Sequence, residues 1–213
     1  MPKQITFFLK LDTEENLWKN LDRKVRNQIR KAKEYDLKIR EGKELLKDFY
    51  PLYQRVMKKR SSPPYGYQFF EDVIEEFRDR AKVFIAEHKS TPVAGMVTIQ
   101  FGDRIASLWA SSDYKFNYMN PNNFLYWEVI GWAVKNNFKY FDFGRSPYGS
   151  GTYSFKKQWG GEEKPFSHDY YLSPSGKKLV PGMTQSKWLS KIWQLVPWPL
   201  AKRLGPIIRK YIN

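Results

Sequence analysis

The chain has 213 residues, of which 41% are hydrophobic and 17% aromatic, and this length fits one globular domain with a sizeable core. It has no cysteine and two histidines, which excludes disulfide bridges and cysteine-rich metal sites and disfavours a zinc centre built from histidines. Lysine and arginine number 37 against 22 acidic residues, and the resulting charge of +15 implies an anionic partner: nucleic acid, a phospholipid surface or a phosphorylated substrate.

The sequence predicts neither a membrane span nor a secretory signal. No apolar run reaches the length of about 18 residues that a spanning helix needs. The segment from Met1 to Lys10 becomes polar too quickly for a signal peptide. We therefore expect a metal-free, cytoplasmic protein that is either soluble or peripheral to a membrane.

Residues 1–35 predict a leading strand and a basic helix. The strand is expected at 4–11, and Asp12 with Glu15 has the spacing of a capping box at the head of the helix. Apolar residues then recur every three or four positions and form one face: Trp18, Leu21, Val25, Ile29 and Ala32. The opposite face is rich in lysine and arginine and poor in acids, which favours contact with an anion over a merely solvated surface.

Residues 36–112 predict two helices followed by an antiparallel meander. A short strand at 36–40 leads to helices at about 42–60 and 67–79, which the Ser-Ser-Pro-Pro segment at 61–64 separates. Three strands joined by short turns follow, at 82–88, 93–101 and 104–112.

Residues 120–172 predict one further helix and two strands. Asn120 and Pro121 suit the N-cap and the first position of a helix that Asn136 closes. The strands are expected at 140–145 and 166–172. The order β-α-α-β-β-β-α-β is that of the GNAT fold, so we expect an α/β, acyl-CoA N-acyltransferase-like mixed sheet with flanking helices. The resulting division is a leading strand and basic helix at 1–35, a GNAT-like acyltransferase domain at 36–175 and a tail at 176–213.

The tail is basic, rich in tryptophan and free of acidic residues from Tyr170 onwards. One apolar group in the tail consists of Leu200, Leu204, Ile207 and Ile208. Apolar residues among lysines and arginines are typical of a helix that lies on an anionic membrane surface, so we interpret 184–213 as an anchor outside the catalytic core. The alternative is a C-terminal helical hairpin packed on the domain or on a second half.

Three sequence segments resemble those of a known family: RNQIRKAKEYDLKI at 26–39, FDFGRS at 141–146 and YSFKKQWGGE at 153–162. In this order and spacing they resemble the catalytic half of FemABX-type proteins, over roughly residues 13–172. Those proteins resemble paired GNAT domains and transfer an amino acid from aminoacyl-tRNA to a peptidoglycan precursor. The resemblance implies the same activity here, at the inner face of the cell membrane. It also implies aminoacyl-tRNA and a muropeptide or lipid-linked envelope precursor as partners. Family members carry two such halves, so a second GNAT-like half is expected as a partner unless the chain is a stand-alone variant. The anionic membrane surface is the partner that the tail predicts.

The resemblance also implies catalytic residues. Phe155 and Lys156 match the family's Phe-Lys pair, whose lysine is expected to face the tRNA acceptor end and the developing oxyanion; the alternative is an ordinary surface cation. Asp142 is a candidate to orient the amine or act as base, or else simply to pair with an arginine. Arg145 follows a strand end, where a bidentate contact to phosphate or carboxylate competes with a structural ion pair.

Two further groups are expected to bind substrates. The segment 58–70 corresponds to the family's acceptor-binding segment, and its candidates are Arg60, Tyr65 and Tyr67. The candidate tRNA contacts lie on the basic helix and are Arg26, Arg30 and Lys33.

A CoA donor is disfavoured, and no cofactor is expected. CoA-dependent GNAT enzymes carry a glycine-rich loop before the central helix, where backbone N–H groups bind the pyrophosphate. Here residues 113–123 contain no glycine. Two alternatives stay open: a CoA- or carrier-dependent N-acyltransferase of envelope polysaccharide, and a catalytically silent module that binds membrane or nucleic acid. An open position beside Lys156 favours an enzyme, whereas a filled core there favours the silent module.

Overall fold

The computed structural model describes residues 4–166 and 193–210. A mixed sheet of eight strands forms the centre of this part of the chain. In chain order the strands are β1 (Gln4–Lys10), β2 (Lys38–Glu41), β3 (Ala81–His88), β4 (Thr91–Phe101), β5 (Arg104–Ser112), β6 (Tyr140–Asp142), β7 (Ser146–Pro147) and β8 (Glu162–Phe166).

The sheet order is β2-β3-β4-β5-β6-β1-β7, with β8 also paired to β1. One edge of β1 pairs with β8, and its other edge pairs first with β7 and then with β6. All these pairings are antiparallel except that between β5 and β6. The leading strand therefore lies inside the sheet and extends the meander of β3, β4 and β5.

Helices cover both faces of the sheet. They are α1 (Glu14–Asn20), α2 (Arg23–Lys33), α3 (Leu46–Lys59), α4 (Tyr67–Phe77), α5 (Pro121–Lys135), α6 (Gly151–Lys157) and α7 (Trp198–Lys210). Short 3-10 turns occupy Lys43–Leu45, Arg78–Arg80 and Tyr114–Met119.

Two hydrophobic cores lie on the two faces. The first joins α1, α2 and α5 to one face, and the second joins α3 and α4 to the other. Along β3, Phe84 and Ala86 belong to the first core, while Val83 and Ile85 belong to the second. This follows from the alternation of side chains along a strand, and it explains why β3 is apolar at each position from Val83 to Ala86. The predicted GNAT-like α/β fold is confirmed.

The single helix predicted from residue 12 to 34 was wrong, because the chain forms two helices there. Leu21 is extended, and Asp22 begins α2 by accepting a hydrogen bond from the Lys24 amide at 2.7 Å. The N-cap of α1 is Thr13, not Asp12, and its hydroxyl accepts from the Asn16 amide at 3.3 Å. The apolar periodicity continues across the break, so it concealed the second cap.

The later boundaries are partly as predicted. Helix α5 runs from Pro121 to Lys135 and is capped by Asn136, as expected. The strand predicted at 140–145 stops at Asp142. Strand β8 begins at Glu162, four residues before the predicted start at 166, and residue 166 is in a strand as predicted. Residues 167–172 lie outside the described residues. Helix α6 was not predicted.

Helix α7 packs on the connection between α3 and α4. Ala201 is buried, and a Cβ atom added to Gly205 would lie 2.5 Å from Cδ of Pro64. The Gln54 amide donates to the Lys202 carbonyl at 3.2 Å, and the Arg209 guanidinium donates to the Tyr65 hydroxyl at 2.9 Å. In residues 193–210 the tail therefore contacts the domain, as the packed alternative expected, while 184–192 and 211–213 lie outside the described residues. No helix in the described segments is long and apolar enough to cross a membrane.

Candidate active site

The site forms where β5 and β6 separate. The two strands pair in parallel for three residues, up to Ala106 and Asp142. Beyond that point β5 continues beside β4 with a bulge that leaves Leu108 unpaired. The chain after β6 instead turns at Gly144, which has φ +68°, and a Cβ atom there would lie 2.9 Å from the Ser107 carbonyl oxygen. Only glycine tolerates both the positive φ and this close approach, so the turn is fixed against β5.

Helix α6 places Lys156 against this turn. The helix begins at Ser150, whose hydroxyl accepts from the Tyr153 amide at 3.1 Å. The Lys156 ammonium donates to the Gly144 carbonyl at 2.9 Å and to the Arg145 carbonyl at 3.1 Å. An ammonium has three N–H donors, so one is left for a substrate.

Phe155 anchors α6 from the other side. Its ring meets Tyr126 edge to face at 5.2 Å and Trp159 at 6.0 Å. Tyr126 also stacks on Phe143 at 5.6 Å, so α5, α6 and the chain after β6 share one group of aromatic rings. Phe155 thus fixes the orientation of its neighbour Lys156.

The surroundings of Lys156 make its proton labile. Burial lowers the pKa of the Lys156 ammonium to about 8, with the nearby charge of Asp142 acting to raise it and that of Arg60 to lower it further. Lys156 is half-buried and not enclosed in a core. At neutral pH it is mostly protonated, yet it can give up its proton close to physiological pH, as a catalytic acid must.

Asp142 holds the turn that Lys156 contacts. Its Oδ1 atom accepts from the Thr6 hydroxyl at 2.7 Å and from the Gly144 amide at 2.8 Å. The carboxylate therefore supports the Gly144 turn and adds negative charge near the ammonium. Its role as a base stays a prediction.

Arg60 and Tyr126 are linked to Lys156 by charge and by packing. Arg60 is the C-cap residue of α3, and its charge lowers the pKa of both Lys156 and Tyr126, whose ring meets Phe155 beside Lys156. Burial raises the pKa of the Tyr126 phenol, whose oxygen lies 3.4 Å from the Ser107 hydroxyl. Tyr126 and Ser107 were not predicted from the sequence, because neither belongs to a motif and only the packing of α5 against the sheet brings them together.

The other predicted substrate-binding residues are Arg145, Tyr65 and Tyr67. Arg145 is exposed, and in the described part of the chain it forms no ion pair, so the structural alternative for it is not seen there. Tyr65 stacks on Phe69 at 4.4 Å and accepts from Arg209 of α7. Tyr67 meets Tyr50 at 5.2 Å within the second core. The structure does not bring either tyrosine into contact with Lys156.

The predicted tRNA contacts all lie on α2. The Arg26 guanidinium donates to the Lys19 carbonyl at 3.3 Å, and that of Arg30 lies 5.5 Å from the Trp18 ring. Lys33 lies 3.8 Å from a Glu128 carboxylate oxygen. Arg30 and Lys33 are exposed, so these weak contacts leave their charges available to an anion.

Three cavities lie elsewhere in the described part of the chain. One of 1280 Å³ borders the acidic residues of α4, and another of 980 Å³ lies between α1 and β1 with Trp159 in its wall. A third, of 470 Å³, lies along α2. None of the three is lined by Lys156.

Comparison with known proteins gives a family match and several structural neighbours. Residues 19–157 match the acetyltransferase (GNAT) domain family. No match was found among curated proteins. The crystal structure of FemX is similar with a TM-score of 0.69 and 14% identity, over 75% of this chain and 59% of that one. The C-terminal domain of a putative lysylphosphatidylglycerol synthetase from Agrobacterium fabrum has a TM-score of 0.60 and 9% identity, over 76% of this chain and 58% of that one.

A smaller neighbour differs in coverage. An aminoglycoside acetyltransferase from an uncultured soil sample, in complex with sisomicin, has a TM-score of 0.51 and 15% identity, over 64% of this chain and 96% of that one. The chain thus spans less than two thirds of the FemX and synthetase structures but nearly all of the smaller acetyltransferase fold. At these identities the likenesses show the fold alone.

Proposed function

Since this chain belongs to the acetyltransferase (GNAT) domain family, we propose that it is an N-acyltransferase and that it transfers an aminoacyl group from aminoacyl-tRNA to an amine of a peptidoglycan or other cell-envelope precursor. The observation that carries the proposal is the Lys156 ammonium, held on the Gly144 and Arg145 carbonyls where β5 and β6 separate.

The geometry suits amide formation from an ester. The acceptor amine attacks the ester carbonyl carbon, the carbonyl oxygen becomes an oxyanion, and the bond to the tRNA ribose oxygen breaks. The free N–H of Lys156 and the nearby Arg60 supply positive charge for the oxyanion. The amine loses one proton and the ribose oxygen gains one. With its pKa lowered to about 8 by burial, Lys156 can donate that proton and recover one from the amine.

The start of α5 supports a donor other than CoA. The segment before it is a 3-10 turn, Tyr114–Met119, and Pro121 at the first helical position has no N–H to offer. A pyrophosphate-binding loop needs several free N–H groups at this place. The cations of α2 favour a nucleic-acid donor instead.

The neighbours' names support aminoacyl transfer as the reaction. One is FemX, and another is named for the synthesis of lysylphosphatidylglycerol. We place the reaction at the inner face of the cell membrane and propose a second GNAT-like half as partner, because the proteins that residues 13–172 resemble carry two such halves.

Binding of the donor tests the proposal. The chain should bind aminoacyl-tRNA more tightly than acetyl-CoA, and the tRNA affinity should fall steeply with salt. Charge reversal of Arg26, Arg30 and Lys33 should reduce the salt slope by about one unit for each phosphate contact that is lost. Reversal of the exposed Lys47 on α3 serves as control. Binding of acetyl-CoA without tRNA binding at low salt would instead support a CoA-dependent N-acyltransferase.

A further inference from the structure

Helix α7 carries an exposed apolar stripe. Leu200, Leu204 and Ile207 are 52%, 42% and 54% exposed, and their spacing places them on one face. Leu195 and Trp198, just before them, are 83% and 38% exposed. We call Leu200, Leu204 and Ile207 the α7 stripe. Large apolar side chains gathered on a surface in this way indicate an interaction site.

The stripe is exposed although the helix is already docked. Ala201 and Gly205 form the buried face, and Gly205 fits closely against Pro64. Arg209 stays on the docked side through its hydrogen bond to Tyr65. The domain thus uses the small residues of α7 and leaves its large ones facing outward.

The charges around the stripe have one sign. Residues 193–210 contain no aspartate or glutamate. Lys202, Arg203 and Lys210 are exposed, and within the described part of the chain none of the three forms an ion pair. A partner for this surface must accept apolar side chains and supply negative charge.

We propose that the α7 stripe docks the protein on an anionic lipid surface, with Leu200, Leu204 and Ile207 in the interfacial layer and the flanking cations among the headgroups. An amphipathic helix with a cationic rim fits this environment. A second copy would bring two sets of cations together, and a nucleic acid would leave the leucines without apolar partners. Neither satisfies both features of the surface.

Docking in this way also joins the membrane to the acceptor side of the site. The Lys58 ammonium donates to the Trp193 carbonyl, and to the Gln194 carbonyl at 3.0 Å. Lys58 lies two residues before Arg60. If the proposed function holds, the acceptor is lipid-linked and reaches Arg60 and Lys156 from the membrane side.

Co-sedimentation of the full chain with vesicles tests the docking without reference to activity. The wild type should bind vesicles of phosphatidylglycerol and phosphatidylcholine, and bind pure phosphatidylcholine weakly. Leu204→Glu should weaken binding about tenfold or more, because burial of one leucine side chain changes affinity by that order. Phe101→Glu is the matched control, because Phe101 is 48% exposed at the end of β4, outside the α7 stripe. This variant should bind vesicles as the wild type does.

The charge contribution has its own variant, Lys202→Glu with Arg203→Glu, which should abolish the preference for anionic vesicles. Unchanged thermal melting shows that the variants fold. No binding by the wild type, equal binding by Leu204→Glu, or a wild-type dimer that Leu204→Glu dissociates would each overturn the proposal. If vesicle binding holds but tRNA binding fails, only the proposed function and its lipid-linked acceptor are lost.

Discussion

Replacement of Lys156 by alanine removes the ammonium that links α6 to the Gly144 and Arg145 carbonyls. Two hydrogen bonds from a charged donor would by themselves contribute a few kcal/mol to stability, at about 1.5–3 kcal/mol each. Burial of the charge opposes them, as the pKa lowered to about 8 shows. The two effects offset each other, so we expect the free energy of unfolding to change by no more than about 1 kcal/mol.

The effect on rate should be far larger. An ammonium that stabilises the oxyanion acts in the transition state, and loss of one such contact typically costs roughly 10²- to 10³-fold in rate. The assay is single-turnover transfer of a labelled amino acid from charged tRNA to a lipid-linked muropeptide, which separates chemistry from binding.

Lys157→Ala is the matched control for this prediction. Lys157 is exposed, lies over the Tyr153 ring at 5.7 Å and belongs to the same helix. Its loss should leave the rate nearly unchanged. Wild-type turnover by Lys156→Ala would refute the assignment, and an equal loss in both variants would point to a general basic surface instead.

Three further predictions concern the turn and the charge. Burial lowers the pKa of Lys156 to about 8, and the protonated form is the one proposed to stabilise the oxyanion, so the single-turnover rate should fall as pH rises through about 8. In a pH–rate profile, Lys156→Arg should move this fall to higher pH. In denaturant titrations, Gly144→Ala should lower the free energy of unfolding by roughly 1–3 kcal/mol more than Gly149→Ala does. Both glycines have a positive φ, but only at Gly144 would a Cβ atom lie 2.9 Å from the Ser107 carbonyl oxygen. Asp142→Ala should reduce that free energy by about 1–3 kcal/mol, whereas Asp142→Asn retains the Oδ1 acceptor and should be close to wild type. Loss of transfer in a stable Asn variant would show that the reaction needs the carboxylate charge, which also raises the pKa of Lys156.

The parts of the fold that depend on neighbouring residues could be predicted from the sequence. The meander of three strands shows turn residues at its ends, and α5 is bounded by Pro121 and Asn136. Helix α6 was missed because Gly149 and Gly151 suggested a loop, although Ser150 between them is an N-cap. That cap was a readable signal.

Some residues of the candidate site could likewise be predicted from the sequence, and others could not. Lys156 and Arg60 were named from the family resemblance and Asp142 from its place on the predicted strand, and in the structure the charges of Asp142 and Arg60 act on the pKa of Lys156. Tyr126 carried no such signal, since its position depends on contacts with Ser107 and Phe143 that are distant in the sequence. The role of Tyr65 as an acceptor contact stays a prediction, but its hydrogen bond from Arg209, which is 144 positions away, could not be predicted from the sequence for a related reason.

The way Lys156 is held explains why its charge can serve a substrate. Within the described residues no carboxylate forms an ion pair with it, and main-chain carbonyls take two of its three N–H donors. A carbonyl dipole orients an ammonium without neutralising it, whereas a paired carboxylate would cancel most of its field. Asp142 acts one step back, by fixing the Gly144 turn that carries a carbonyl. In the proposed reaction the ammonium is therefore positioned before a substrate arrives and keeps its charge for the oxyanion.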